Sequence, residues 1–298
     1  MLTHLLSPPE KPRRAVVLGA AGFVGEASVR SLSAAGVETL PLGRRELDLL
    51  GPGAAERLRA LLLPGDTLVF VSARAPCKNA AMLVENVRMA EAVCGAIRSA
   101  DLAHLIYVSS DAVYRDSPIP LNEESCAEPG SPHGAMHLAR EVLLRSEFPG
   151  PIGILRPTLI YGAADPHNGY GPNRFRRLAG AGKAIVLFGD GEERRDHVFI
   201  EDVAELLTRM VARRSSGILN AVSGDVASFR ELAEYTAGQF SPSPAVTGSP
   251  RTGAMPHNGY RPFDAAQIKR AFPDFGITPW REGIAATCRA QKKEPARL

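Results

Sequence analysis

Cysteine is scarce in this chain and poorly placed for cross-linking. The four residues (Cys77, Cys94, Cys126, Cys288) lie far apart, and no C-x-x-C pair occurs. That spacing argues against a disulfide framework or a zinc site and fits reduced thiols in a cytoplasmic protein. Long apolar runs are missing as well, because charges, Pro or Gly interrupt every candidate, so no segment offers itself as a membrane span. Net charge is only +3, and no Lys/Arg run is interleaved with aromatics. This gives no electrostatic footprint for nucleic acid. Residues 1–14 end in Ser7-Pro8-Pro9-Glu10-Lys11-Pro12-Arg13-Arg14 and hold no hydrophobic core with a cleavage site, so they read as a disordered leader and not a signal peptide. What is present, 298 residues with 45% hydrophobic and 22% charged, suits a globular protein. Its length fits one large domain or a domain with a smaller companion.

The apolar run Ala15-Val16-Val17-Leu18 leads straight into Gly19-Ala20-Ala21-Gly22-Phe23-Val24-Gly25. This predicts a buried strand, a glycine-rich turn and a helix to about Ala35. Gly19 and Gly22 let the backbone turn tightly and approach a pyrophosphate. Gly25 lets helix and strand pack closely, and the N–H groups around Phe23 and Val24 face the phosphates. Further strands are expected at residues 37–42, 67–71, 105–108 and 152–155, with a helix over Asn86 and residues 90–97. Such alternation predicts an α/β fold, a Rossmann-type doubly wound parallel sheet. Beyond Gly162 the alternation breaks into Gly- and Pro-rich stretches, which read as a smaller lobe closing over the cleft.

The second strand runs into Gly43-Arg44-Arg45, with Gly43 where an acid would hold the adenosine ribose. An acid repels a 2′-phosphate, whereas a guanidinium binds one bidentately. Arg44 or Arg45 therefore points to NADP(H), with NAD(H) as the alternative.

Taken together, the chain resembles the extended short-chain dehydrogenase/reductase family of nucleotide-sugar epimerases, dehydratases and ketoreductases over about residues 14–287. The glycine motif, Tyr107-Val108-Ser109-Ser110-Asp111, Leu155-Arg156-Pro157, Arg195-Asp196-His197 and Arg261-Pro262-Phe263-Asp264 carry the likeness. The resemblance implies Ser110 as the catalytic hydroxyl, Pro157 beside the nicotinamide, and Arg195 and Arg261 toward a nucleotide-sugar diphosphate; Asn173, in the expected lid region, is a candidate contact to sugar or base. Asp111 stands where family dehydratases carry an acid, but the Glu that follows it in them is Ala112 here.

The family's Y-x-x-x-K falls on His133 and His137. In the family the Tyr exchanges a proton with the sugar oxygen while the Lys grips the nicotinamide ribose and lowers the Tyr pKa from about 10. Residues four apart share a helix face, so the histidines keep that geometry. Imidazole, with a pKa of about 6.5, exchanges protons at neutral pH without a helper cation. His133 is thus a candidate acid/base and His137 a ribose contact. A histidine pair at this spacing also suits zinc, but no third ligand is evident and no metal is assigned.

The expected organisation is a leader over 1–14 and a dinucleotide-binding domain over 15–165 with a return segment at about 196–222. A substrate lobe takes 166–195 and 223–298. The expected activity is NAD(P)-dependent oxidoreduction or epimerisation of a nucleotide sugar, tilted toward NADPH-dependent ketoreduction, in a homodimer. The competing expectation is an inactive relative that binds nucleotide or sugar nucleotide as a scaffold.

Overall fold

A computed structural model describes residues 1–293. Strand β1 (Thr3–His4) is followed by β2 (Arg14–Leu18), α1 (Phe23–Ala34), β3 (Glu38–Leu42), α2 (Ala54–Leu61), β4 (Thr67–Phe70), α3 (Ala80–Ile97) and β5 (His104–Val108). A short 3-10 turn (Asp111–Val113) leads to α4 (Pro132–Glu147), β6 (Ile152–Pro157), β7 (Leu159–Tyr161), α5 (Pro172–Gly180), β8 (Ile185–Phe188) and β9 (Arg194–Phe199). Then come α6 (Ile200–Ala212), β10 (Ser215–Ala221), β11 (Val226–Ser228), α7 (Phe229–Ala237), β12 (Val246–Ser249), β13 (Tyr260–Arg261), α8 (Ala266–Ala271) and α9 (Trp280–Lys293).

The main sheet has seven strands in the order β1-β10-β6-β5-β4-β2-β3. Its strands pair in parallel except at β1, which runs antiparallel to β10. Strands β4 and β5 are buried along their whole length, as a sheet covered on both faces requires. Helices α1 and α6 pack together on one face, while α2, α3 and α4 line the other. The chain moves outward from β2 to β3 and returns on the far side of β2 at β4. The crevice between the carboxyl ends of β2 and β4 is therefore the switch point where such sheets bind ligands. A second group of elements joins β11-β9-β13 with β7, pairs β12 with β8, and buries Phe175, Phe229 and Trp280 among α5, α7 and α9. Residues 194–199 belong to this smaller sheet, and the chain re-enters the large one only with α6 and β10.

One expectation is overturned. Residues 1–14 are not a disordered leader: Thr3 and His4 pair with Ser216 and Ser215, and Leu2 is buried. The His4 ring is held between Ser215 Oγ at 2.8 Å and the Ala271 carbonyl at 2.9 Å. A polar, Pro-rich composition says nothing of an open strand edge, and β10 offers one whose backbone groups need partners.

Candidate functional site

The turn after β2 is a backbone cradle. Gly19 takes φ +88°, and a Cβ there would lie 2.7 Å from the Ser72 nitrogen at the end of β4. Gly25 abuts the Gly19 carbonyl so closely that any side chain would collide with it. Gly22 caps α1 without a side-chain hydrogen bond, leaving the helix N-terminus to whatever lies before it. A cavity of about 800 Å³ opens there, and Gly19, Gly22, Phe23 and Val24 form part of its wall. Backbone bare of side chains at an uncapped helix N-terminus fits a dinucleotide pyrophosphate. At the end of β3, Gly43 and Arg44 reach the cavity wall, but Arg45 does not. The Gly43 N–H donates to Glu46 Oε2 at 2.8 Å, and Arg44, 79% exposed, pairs with Asp48 at 3.2 Å.

Helix α4 brings the histidines to the same cavity. Ser131 caps it by accepting from the Gly134 N–H at 3.2 Å, and Pro132 fills its first turn. Gly134 packs directly on the Ala112 carbonyl, a contact that no Cβ would permit. That close approach sets the Ser110-Asp111 turn against the helix. Behind it Glu141 accepts from Arg156 at 2.9 and 2.5 Å and from Ser109 Oγ at 2.6 Å, all buried, which ties α4 to β5 and β6. Ser110, Asp111, His133, His137 and Pro157 consequently share one wall.

The two imidazoles stand edge to face with centroids 4.8 Å apart, and among the described residues no metal-holding group of three ligands includes them. His133 Nδ1 accepts from the Cys77 N–H at 3.3 Å, so its neutral ring carries hydrogen on Nε2. Burial lowers the His133 pKa below its ordinary value, and the Asp111 carboxylate opposes that shift. His137 is held well below its ordinary value, first by burial and then by His133 and Arg140. Both rings are therefore neutral at neutral pH.

A glycine cradle lies at the switch point, and α4 presents its i, i+4 pair beside a serine. The model of the NAD dependent epimerase/dehydratase family matches residues 15–221. The chain belongs to that family. Among its relatives, the UDP-glucose 4-epimerase of Mycolicibacterium smegmatis is 29% identical over 310 residues, spanning 92% of this chain and 97% of that protein. The dTDP-4-dehydro-6-deoxy-D-allose reductase of Streptomyces bikiniensis is 26% identical over 322 residues, spanning 93% and 95%. In three dimensions the fold matches a GDP-L-fucose synthetase from Naegleria fowleri bound to NADP, with TM-score 0.81 and 17% identity over 99% of both chains.

At the far end of this epimerase/dehydratase cavity, the three residues expected to meet substrate part company. Arg195 lies in the wall, 3.3 Å from Glu193 and 3.9 Å from Asp111. Asn173 also reaches the wall while its Oδ1 accepts from the Gly162 N–H at 3.0 Å. Arg261 does not reach it. Its side chain is 1% exposed, pairs with Asp111 Oδ2 at 3.2 Å and with Asp116, and donates to the Asp111 and Tyr114 carbonyls at 2.8 and 3.3 Å. It serves to hold the Asp111 turn.

Other wall residues gave little signal in the sequence. His257 joins it from a turn with φ +51°, its Nδ1 2.6 Å from Asp116 Oδ1, four residues before the Arg261 motif but part of none. Ser72 and Asp48 follow strand ends, where a position counted from β4 and β3 would have pointed to them. Cys77 touches His133 through its backbone, so its residue type carried no hint.

Proposed function

We propose that the chain binds a dinucleotide along residues 19–25 and a nucleotide sugar toward Arg195, and that it reduces a keto group of that sugar with NADPH. The observation that carries this reading is the shared wall of Ser110, His133 and His137 at the mouth of the glycine cradle. When bound, the dinucleotide supplies the hydride. Ser110 Oγ orients the keto oxygen; it now accepts from the Ala112 N–H at 3.1 Å and donates to Asp111 Oδ1 at 3.3 Å. His133, as imidazolium, gives the Nε2 proton to that oxygen, and His137 contacts the ribose. Arg44 at the wall supports a 2′-phosphate and hence NADPH over NADH. Because the His133 pKa is lowered, its acid form grows as the pH falls, and reduction should quicken toward mildly acidic pH.

The test is NADPH and NADH fluorescence titration of nucleotide-free protein, followed by turnover with a panel of keto-sugar nucleotides. His133→Ala should lose about 10²–10⁴-fold in rate. Full turnover by that variant would refute the acid role. One contact favours a second reading, a non-catalytic nucleotide binder: the Cys77 N–H occupies His133 Nδ1, which the imidazolium form needs free. That reading predicts dinucleotide binding with no turnover at any pH. The same proposal carries a cytoplasmic homodimer through α3 and α4, where Val84 and Val142 are exposed, and sedimentation analysis checks it.

A further inference from the structure

One turn beyond the histidines, α4 carries an arginine buried without an acid. Arg140 is fully buried, its guanidinium 4.2 Å from the centre of the Phe70 ring and 5.2 Å from that of Tyr107. It donates to the Ser72 carbonyl at 2.7 Å and touches the Met136 sulfur at 3.7 Å, while Nε has no partner. Among the described residues no carboxylate pairs with it. A buried cation without a counter-ion is costly, so its place beneath the cavity calls for a reason. Tyr107 is equally buried, and its hydroxyl lies 2.7 Å from His137 Nδ1. Burial pushes the phenol up, so it keeps its proton, and among the described residues no acceptor other than Nδ1 meets its hydroxyl, which favours donation to Nδ1. Hydrogen then sits on His137 Nε2, which has no partner among the described residues although His137 belongs to the cavity wall.

We propose that Tyr107 and Arg140 are positioning residues. Tyr107 fixes His137 as a neutral Nε2–H donor toward a vicinal hydroxyl pair on the bound ligand, and Arg140 supplies the fixed positive charge beneath the two rings. The charged and titratable side chains against His137 are Tyr107 from β5 and His133 and Arg140 from its own helix. The carboxylates of the surroundings, Asp111 acting on His133 and Glu141 acting on Tyr107, are paired with Arg261 and Arg156, and the adjoining Arg140 cation opposes a second proton on the imidazole. The identity of the hydroxyl pair, the ribose of a dinucleotide, rests on the function proposed above; the fixed tautomer does not.

The experiment is nitrogen NMR of the whole protein labelled in histidine, with His137→Gln assigning the signal. We expect Nδ1 bare and Nε2 protonated, unchanged between roughly pH 5 and 8. Tyr107→Phe should release the tautomer and weaken NADPH binding about three- to tenfold. Arg140→Met should move the onset of His137 protonation to higher pH while burial keeps the ring neutral near neutrality, and an unchanged onset overturns the charge role of Arg140. Hydrogen on Nδ1 in the unaltered protein, or a Tyr107→Phe variant with an unchanged tautomer, overturns the proposal even if binding weakens. The expected tautomer in a protein that binds no dinucleotide upholds the pair and refutes the dinucleotide reading instead.

Discussion

Replacing Glu141 by Leu should be among the most damaging single changes in the nucleotide-binding half. Glu141 and Arg156 are 1% and 4% exposed and meet at 2.5 Å, with Ser109 as a third partner. Removing the carboxylate strands a buried guanidinium whose remaining neighbour is the Tyr114 ring at 4.8 Å. Breaking a buried pair from one side costs about 3–5 kcal/mol, and the lost Ser109 hydrogen bond adds about 1 kcal/mol. Against a total stability of about 5–15 kcal/mol, this leaves the protein marginal. The double variant Glu141→Leu, Arg156→Met should recover most of the loss, because an apolar pair carries no desolvation penalty. Urea unfolding monitored by circular dichroism reads both values from the midpoint and slope. A single-variant loss below about 1 kcal/mol, or a double variant no better than the single, would refute the reasoning. The consequence for the site is direct, since this pair seats the helix that presents His133 and His137.

Three further outcomes follow from individual contacts. His104 is fully buried, donates through Nε2 to the Ser215 carbonyl at 2.8 Å, and is lowered by burial from 6.5 to about 4. Its folded pKa lies below its unfolded one, so its stabilisation is complete above the unfolded value and fades as pH falls through the folded one. His104→Gln should flatten acid destabilisation over that window by about 3 kcal/mol in pH-dependent unfolding. Gly134→Ala would drive a methyl into the Ala112 carbonyl, and thermal and urea unfolding should show a loss of about 1–3 kcal/mol, together with loss of turnover as Ser110 is displaced. Arg44→Ala should weaken NADPH about three- to tenfold while leaving NADH binding unchanged. The effect is held small because Arg44 is 79% exposed and already paired with Asp48. Equal loss for both dinucleotides would remove Arg44 from 2′-phosphate recognition.

The parallel sheet was legible in the sequence because its determinants are local. Short β-branched runs, each followed by a helical stretch, fix β2 to β6, and glycine spacing fixes a turn that only bare backbone can make. That His133 and His137 share a helix face was legible for the same reason, whereas the place of Ser110 beside them was implied by the family resemblance, and the packing of Gly134 on the Ala112 carbonyl brings all three to one cavity. What the local pattern could not give is who partners whom at long range. The edge of β10 captures the first residues, so a polar segment becomes a strand. Arg261, marked by its motif as a substrate contact, is drawn instead onto Asp111, about half the chain away, and buried. Arg140 and Tyr107 read as an ordinary helix cation and an ordinary strand aromatic until the packing of α4 on the sheet stacks one on the other beneath His137. Charge pairing, burial and proton placement depend on neighbours distant in the chain. The sequence by itself set the backbone of the site, and tertiary packing decided the chemical state of its side chains.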